Sequence, residues 1–124
     1  MKLAIVGWRS FTDKAVFDET LLNFVCEYGM PELVVSGGAK GADALGEAWA
    51  TRHKVKLLVL KPDWNRLKGG AGLERNTDIV AACTHMVAFP HDQGKRRDGK
   101  EKGGTQDSIR KAKALDKIVV IKKV

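Results

Sequence analysis

Residues 34–43 read VVSGGAKGAD, an apolar segment that runs directly into a turn of small residues. Apolar residues then recur at helical spacing, at Ala44, Leu45, Ala48 and Trp49. The stretch therefore predicts a strand, a glycine loop and the start of a helix. Glycines let a backbone approach a ligand closely, and the first turn of a helix attracts anions. Lys40 adds a positive charge, and Asp43 is the only acid of the loop. A tight turn without a ligand is the simpler alternative.

The same alternation of strand and helix extends over the whole chain. Apolar, β-branched runs predict five strands, at residues 3–6, 33–35, 55–60, 85–89 and 118–121. Four segments with helical spacing of apolar residues connect them, the first starting after Thr12 or Asp13. Strands of this composition, joined through helices, form parallel sheets that are buried on both faces. The sequence predicts one α/β domain over residues 1–124, a doubly wound Rossmann-like parallel sheet of about five strands with helices on both faces.

Composition favours a soluble protein with an anionic partner. Of the 124 residues 44% are hydrophobic and 30% charged, and the net charge of +7 suits nucleotides, nucleic acid or acidic surfaces without choosing among them. No window approaches the roughly 18 apolar residues of a membrane span, and the first strand is too short for a signal peptide. We expect a cytoplasmic location. The charged run at residues 95–102 predicts either a solvated loop or a lid over an anionic ligand.

Cysteine and histidine spacing predicts no metal site and no disulfide. Cys26 and Cys83 lie far apart on predicted helices without a Cys-x-x-Cys pattern, which indicates buried, reduced thiols. His53, His85 and His91 lack a partner acid or cysteine at ligand spacing. We expect no cofactor.

The residues that point to a ligand all follow predicted strands. They are Gly7, Trp8 and Arg9 after the first, Ser36, Gly37, Gly38, Ala39, Lys40, Gly41 and Asp43 after the second, Trp64, Arg75 and Asn76 after the third, and Gly103, Gly104 and Thr105 after the fourth. Ligands of doubly wound sheets bind outside the carboxyl ends of the strands, where the strand order reverses. The topology would therefore gather these residues at one edge of the sheet.

Side-chain chemistry gives each candidate a specific role. Arg9 and Arg75 can hold phosphate through two parallel hydrogen bonds, with a surface salt bridge as the alternative for Arg9. Asn76 offers amide donors for phosphate or a base. Trp64 can stack on a base or cover the core, whereas Trp49 fits core packing.

Two common nucleotide motifs are missing from the sequence. The first predicted strand ends in GWRS, not Gly-x-Gly-x-x-Gly, which argues against an ordinary dinucleotide site. The chain also lacks Gly-x-x-x-x-Gly-Lys-Ser/Thr, which excludes a phosphate-loop NTPase.

The motifs resemble those of the SLOG superfamily, and most closely its small, single-domain YspA-like members. The resemblance rests on Gly7-x-Arg9, the SGGAKGAD loop, Glu74-Arg75-Asn76 and Gly103-Gly104-Thr105, and it covers nearly the whole chain. The superfamily also contains the LOG-type phosphoribohydrolases and the DprA/Smf DNA-processing proteins. It implies a Rossmann-like fold that binds a nucleotide or nucleotide-derived ligand through glycine loops, with Arg9 and Arg75 near phosphate or sugar. It also implies a homodimer or larger homo-oligomer.

The sequence departs from the LOG-type pattern at the catalytic position. Those enzymes carry Pro-Gly-Gly-x-Gly-Thr-x-x-Glu, and alignment on Gly104-Thr105 puts Ser108 where the glutamate should be. Cleavage of the bond between base and ribose needs a carboxylate near the sugar. Asp107, Asp43 and Glu74 are the candidates, and Asp107 and Glu74 fit structural roles better. Asp43 can bind ribose hydroxyls or support the loop. Arg75 and Asp43 would be the catalytic residues of an enzyme.

Three functions follow from this pattern. The favoured one is a module that senses or sequesters a nucleotide derivative. The second is a phosphoribohydrolase with an altered acid, and the third is DprA-like binding of single-stranded DNA. Few aromatic residues are available for base stacking, which argues against the third.

Overall fold

The computed structural model describes residues 1–61, 71–91 and 104–124 and contains the predicted elements. Its strands are β1 (Lys2–Gly7), β2 (Leu33–Ser36), β3 (Lys56–Val59), β4 (His85–Phe89) and β5 (Ile118–Ile121). Its helices, within the described ranges, are α1 (Lys14–Tyr28), α2 (Ala42–Arg52), α3 (Ala71–Ala82) and α4 (Gly104–Ala114). The predicted fold class, an α/β protein with a parallel sheet of five strands, is confirmed.

The strand order is β3-β2-β1-β4-β5. The chain adds β2 and β3 on one side of β1 and then crosses back to add β4 and β5 on the other side, so the strand order reverses between β1 and β4. All neighbouring strands are parallel. In register, Gly7 lies beside Phe89, and Ser36 lies beside Val59. The carboxyl ends of β1, β2 and β4 therefore meet at one edge, where ligands bind in sheets of this type.

Two apolar layers enclose the sheet. Leu3 and Ile5 of β1 pack with Phe17 of α1 and Trp49 of α2 in one cluster. Their neighbours Ala4 and Val6 point to the opposite face and pack with residues of α3 and α4, namely Ile79, Val80, Ile109 and Ala112. Alternate side chains of one strand are thus buried on opposite faces, as the predicted double layer of helices requires. Trp49 is 4% exposed, which confirms its predicted core role.

Local capping explains where α1 begins and ends. The Asp13 side chain accepts a hydrogen bond from Val16 N at 3.2 Å, which satisfies a free donor of the first turn. Gly29 ends the helix with φ of 93°, and its N–H donates to Val25 O at 2.8 Å. Of the two predicted caps, Thr12 and Asp13, the structure has Asp13 as the N-terminal cap of α1.

Two burial predictions are wrong. Cys26 is exposed, whereas Cys83 is buried as expected. The expected burial of all strands on both faces fails at the edge strand β3, where Leu57 and Leu58 are 37% and 38% exposed. An edge strand has a neighbour on one side only, so helices cover it less completely than they cover β1.

None of the helices in the described ranges combines the length and hydrophobicity that a bilayer crossing demands.

Phe17 and Leu22 provide a matched test of this packing on one helix. Phe17 is 1% exposed and its ring lies 5.2 Å from that of Phe89, whereas Leu22 is 62% exposed. We expect Phe17→Ala to lower the free energy of unfolding by about 3–5 kcal/mol, because it leaves a cavity in the core. Leu22→Ala should change it by less than about 0.5 kcal/mol. Urea unfolding measures both values, and equal losses would contradict the packing described.

Candidate functional site

The segment after β1 is joined by backbone hydrogen bonds to the end of β4 and to the start of α2. Trp8 N donates to Phe89 O at 3.0 Å, and Trp8 O accepts from Ala42 N at 3.3 Å, the first residue of α2. Gly41 has φ of 72°, and a side chain there would collide with the carbonyl oxygens of Trp8 and Arg9. The glycine is therefore required both by its conformation and by the close approach of the two segments.

Asp43 lies in the first turn of α2, and its side chain binds the glycine loop that precedes the helix. Its side chain is 4% exposed, and Oδ2 accepts hydrogen bonds from Gly37 N at 3.2 Å and Ala39 N at 3.4 Å. Gly38 N donates to Ser36 Oγ at 3.1 Å. Three consecutive N–H groups of the loop are thus bound by the chain's own side chains. The carboxylate binds two of these donors, Gly37 N and Ala39 N, as an anion bound to the loop would.

Arg75 of α3 connects the same loop to the other face of the sheet. Its Nη1 donates to Gly37 O at 2.8 Å, and its Nε donates to Asn76 Oδ1 at 3.2 Å. A Cβ added to Gly37 would lie 2.5 Å from Arg75 Nη1 and 2.8 Å from Asp43 Oδ2. Only glycine therefore lets the guanidinium and the carboxylate approach the loop from both sides.

Burial shifts the pKa values of both charged groups. The pKa of Asp43 rises from 3.8 to about 6, chiefly because burial disfavours the carboxylate; hydrogen bonds from Ala39 and Gly37 and the charge of Arg75 oppose this rise. Glu47 raises it further. Burial lowers the pKa of Arg75, the Asp43 charge opposes that change, and the nearby charge of Arg9 adds to it. The site thus holds two cations close enough to repel each other, and an acid that titrates near neutral pH.

A second polar cluster joins α3 to the start of α4. Asn76, which is 4% exposed, donates through Nδ2 to Gly104 O and to Asp107 Oδ2, each at 3.2 Å. Asp107 also forms an ion pair with Lys111 at 2.8 Å. Ser108 is buried, and its Oγ donates to Gly104 O at 3.2 Å. The position of the LOG-type glutamate therefore holds a hydroxyl bonded within its own helix, and Asp107 has the structural contacts expected for it.

The structure brings most of the predicted site residues to one edge of the sheet. These residues are Gly7, Trp8, Arg9, Ser36, Gly37, Gly38, Ala39, Lys40, Gly41, Asp43, Arg75, Asn76, Gly104 and Thr105. Trp64, Gly103 and the charged loop at residues 95–102 lie outside the described residues. The binding and catalytic roles assigned to all of them stay predictions.

His91 is a residue of this edge that the sequence did not single out. Its ring stacks on that of Trp8 with centroids 3.8 Å apart and an interplanar angle of 9°. Its Nδ1 lies 2.8 Å from Val124 O. The only available signal was its position two residues after β4, at the same strand edge as the other candidates.

A parallel sheet in the order 3-2-1-4-5 defines the Rossmann-like class of α/β folds. The chain matches the model of the YspA, cpYpsA-related SLOG family over residues 1–67, and it belongs to that family. The resemblance inferred from the motifs is confirmed.

Two individual proteins are similar to this chain, one in sequence and one in fold. The chain is similar to the Gene 61 protein of Mycobacterium phage D29, with 30% identity over 97 residues that cover 72% of this chain and 76% of the phage protein. Its fold is similar to that of DNA processing protein A (DprA) from Streptococcus pneumoniae, with a TM-score of 0.68 and 19% identity. That match covers 97% of this chain and 49% of the other, so this chain spans about half the length of DprA.

The buried carboxylate predicts a specific dependence of stability on pH. Because the pKa of Asp43 is raised from 3.8 to about 6 on folding, protonation favours the folded state. This contribution is complete below pH 3.8 and is lost as the pH rises through about 6. Its size is on the order of 3 kcal/mol.

We expect Asp43→Asn to remove this contribution, so that the stability of the wild type relative to the variant falls between pH 4 and pH 7. The exposed Asp78 on α3 gives the matched control Asp78→Asn, which should follow the wild type at every pH. Urea unfolding across this range measures the difference. Parallel curves for the wild type and Asp43→Asn would show that Asp43 titrates alike in the folded and unfolded chain.

Proposed function

We propose that this protein binds a nucleotide or nucleotide-derived small molecule at the carboxyl edge of its sheet, as a sensing or sequestering module. The observation that carries the proposal is the meeting of Arg75 and the buried Asp43 across Gly37, beside Arg9. Folding alone gives little reason to place two guanidinium groups within reach of each other at a glycine loop. A shared anionic ligand would explain this placement, because its negative charge offsets the repulsion between the two guanidinium groups.

The charges around the loop suit the parts of a nucleotide. Arg9 is exposed at the end of β1, and Lys40 is exposed on the loop, so both are accessible to a phosphate. Arg75 is held in place by Gly37 O and Asn76, which fixes one guanidinium in advance of binding. Asp43 provides an acceptor for hydroxyl or amino groups of the ligand. The site therefore pairs anion-binding groups with one acid, as recognition of a phosphorylated sugar requires.

Binding without turnover is favoured by the residues at the start of α4. Ser108 stands at the position of the LOG-type glutamate and bonds to Gly104 O, so it supplies no carboxylate there. Asp107 is engaged by Asn76 and Lys111. The acids nearest to the LOG-type arrangement are thus absent or committed to structural contacts.

One observation supports a phosphoribohydrolase as the second candidate. Asp43 has a pKa of about 6, which is a value suited to proton transfer near neutral pH. Incubation of the purified protein with nucleoside monophosphates, followed by chromatography for free base, tests this activity. Release of base that Asp43→Asn abolishes and Asp78→Asn preserves would establish the enzyme, and its absence would rule it out for those substrates.

Single-stranded DNA is the third candidate, since the fold is that of a protein named for DNA processing and the net charge is +7. Binding through several phosphates weakens steeply as salt rises. An oligonucleotide that fails to bind at low salt would exclude this function. A homo-oligomer and a cytoplasmic location complete the proposal, and size-exclusion chromatography with light scattering tests the former.

Nucleotide binding should raise the melting temperature of the wild type, because a ligand that binds only the folded state stabilises it. We expect Arg9→Ala to raise the nucleotide concentration needed for the same shift in melting temperature by about 10- to 100-fold, the range for lost hydrogen bonds between charged groups. Arg52→Ala is the matched control, since Arg52 pairs with Asp18 at the far end of α2. Thermal-shift titration with a nucleotide panel measures both.

Mass spectrometry of small molecules that co-purify with the protein gives an independent test. An intact nucleotide derivative that is lost from Arg9→Ala and retained by Arg52→Ala would support the proposal. A panel in which no nucleotide shifts the melting temperature, together with an empty co-purified fraction, would contradict it.

A further inference from the structure

The side-chain amide of Asn76 uses both its donors and its acceptor within the protein. Nδ2 donates to Gly104 O and to Asp107 Oδ2, each at 3.2 Å, and Oδ1 accepts from Arg75 Nε at 3.2 Å. An amide nitrogen carries two donors, so these contacts use both. The residue is 4% exposed. Its contacts make Asn76 a bridge between the start of α4 and Arg75 on α3.

The two acceptors on α4 determine which way this amide points. Gly104 O and the Asp107 carboxylate only accept hydrogen bonds, and Arg75 Nε only donates one. A flipped amide would set its oxygen against both acceptors and its nitrogen against the donating Nε. The orientation in which Oδ1 faces Arg75 is therefore the one that satisfies all three contacts, and Asp107 supplies a charged acceptor for it.

The amide in turn fixes the guanidinium of Arg75. Its Nε is held by Asn76 Oδ1, and its Nη1 donates to Gly37 O at 2.8 Å. These contacts use two of the five donors of a guanidinium, and Arg75 is partly exposed. An arginine held in this way keeps donors for an anion and loses little rotamer freedom when it binds one.

We propose that Asp107 is a positioning residue for Arg75, which it reaches through the amide of Asn76. The proposal rests on the proposed function for the ligand that Arg75 binds, and it adds α4 to the elements that form the site. An acid on the first turn of α4 thereby sets the position of a donor at the glycine loop between β2 and α2.

A purely structural role for Asp107 would depend on its charge. The carboxylate pairs with Lys111 at 2.8 Å and with Arg110 at 3.8 Å, and an acid in the first turn stabilises a helix through the helix dipole. Both effects need the negative charge, whereas the contact with Asn76 needs only an acceptor. Asp107→Asn removes the charge and keeps a side-chain oxygen, and Asp107→Ala removes both. The two variants therefore separate the two roles.

The Nε–H signal of Arg75 in ¹H–¹⁵N spectra reports the position of the guanidinium, and its disappearance in Arg75→Lys assigns it. In the wild type we expect slow exchange of this proton with water, because Asn76 holds it. Asp107→Ala should shift the signal and speed its exchange several-fold. Asp107→Asn should keep the wild-type signal, as should Asp78→Ala, which truncates an exposed acid on α3.

Thermal-shift titration with the nucleotide panel gives the second readout. We expect the apparent Kd to be about 5- to 30-fold higher for Asp107→Ala, the range for a buried donor left without its partner. Asp107→Asn should stay within about 3-fold of the wild type, because it retains the acceptor. Loss of the charge alone would weaken binding by both variants alike.

The outcomes separate this inference from the proposed function. An Arg75 signal that Asp107→Ala leaves unchanged, or that both Asp107 variants change alike, would overturn the inference and leave nucleotide binding intact. Rapid exchange of the Arg75 Nε proton in the wild type would overturn it even if Asp107→Ala does not fold. If no nucleotide binds, the proposed function fails, and the Arg75 signal still decides whether Asp107 positions the arginine.

Discussion

The buried Asp43 carboxylate is the interaction on which the glycine loop depends. It bonds to Gly37 N and Ala39 N from one side of the loop, while Arg75 bonds to Gly37 O from the other. A buried carboxylate is costly unless hydrogen bonds and an opposite charge compensate it, and here both are present. The raised pKa of about 6 shows that the compensation is incomplete. The protein therefore maintains a costly group at the carboxyl edge of its sheet, and functional sites commonly hold such groups.

Sheet topology brings the parts of this interaction together. Asp43 belongs to α2, which packs on one face of the sheet, and Arg75 belongs to α3, whose residues pack on the other. The two side chains meet only because the loop between β2 and α2 lies at the carboxyl edge that both faces share. Trp8 and Arg9 reach the same edge because β1 runs parallel to both of its neighbours, β2 and β4.

The sequence predicted the fold well because its signals are local. Apolar runs marked all five strands, and the third, expected at residues 55–60, is observed at Lys56–Val59. The convergence of Arg9, Asp43 and Arg75 followed from the rule for parallel sheets.

Side-chain contacts between distant segments could not be predicted from local sequence patterns. They include the stacking of Trp8 on His91 and the bonds within the glycine loop, which depend on rotamers. Cys26 follows the buried Phe24 by two positions, about 200° around the helix, so helical spacing itself places it on the exposed face.

The central claim is that a nucleotide binds at the edge where Arg9, Asp43 and Arg75 meet. Chemical-shift mapping tests it most directly, through ¹H–¹⁵N spectra of the labelled protein during titration with AMP. The account predicts saturable shifts of the backbone amides at residues 7–9, 36–43 and 75–76, together with Gly104 and Thr105. Shifts concentrated instead between α1 and α2, around Leu22, Met30 and Arg52, or an unchanged spectrum at millimolar AMP, would contradict it.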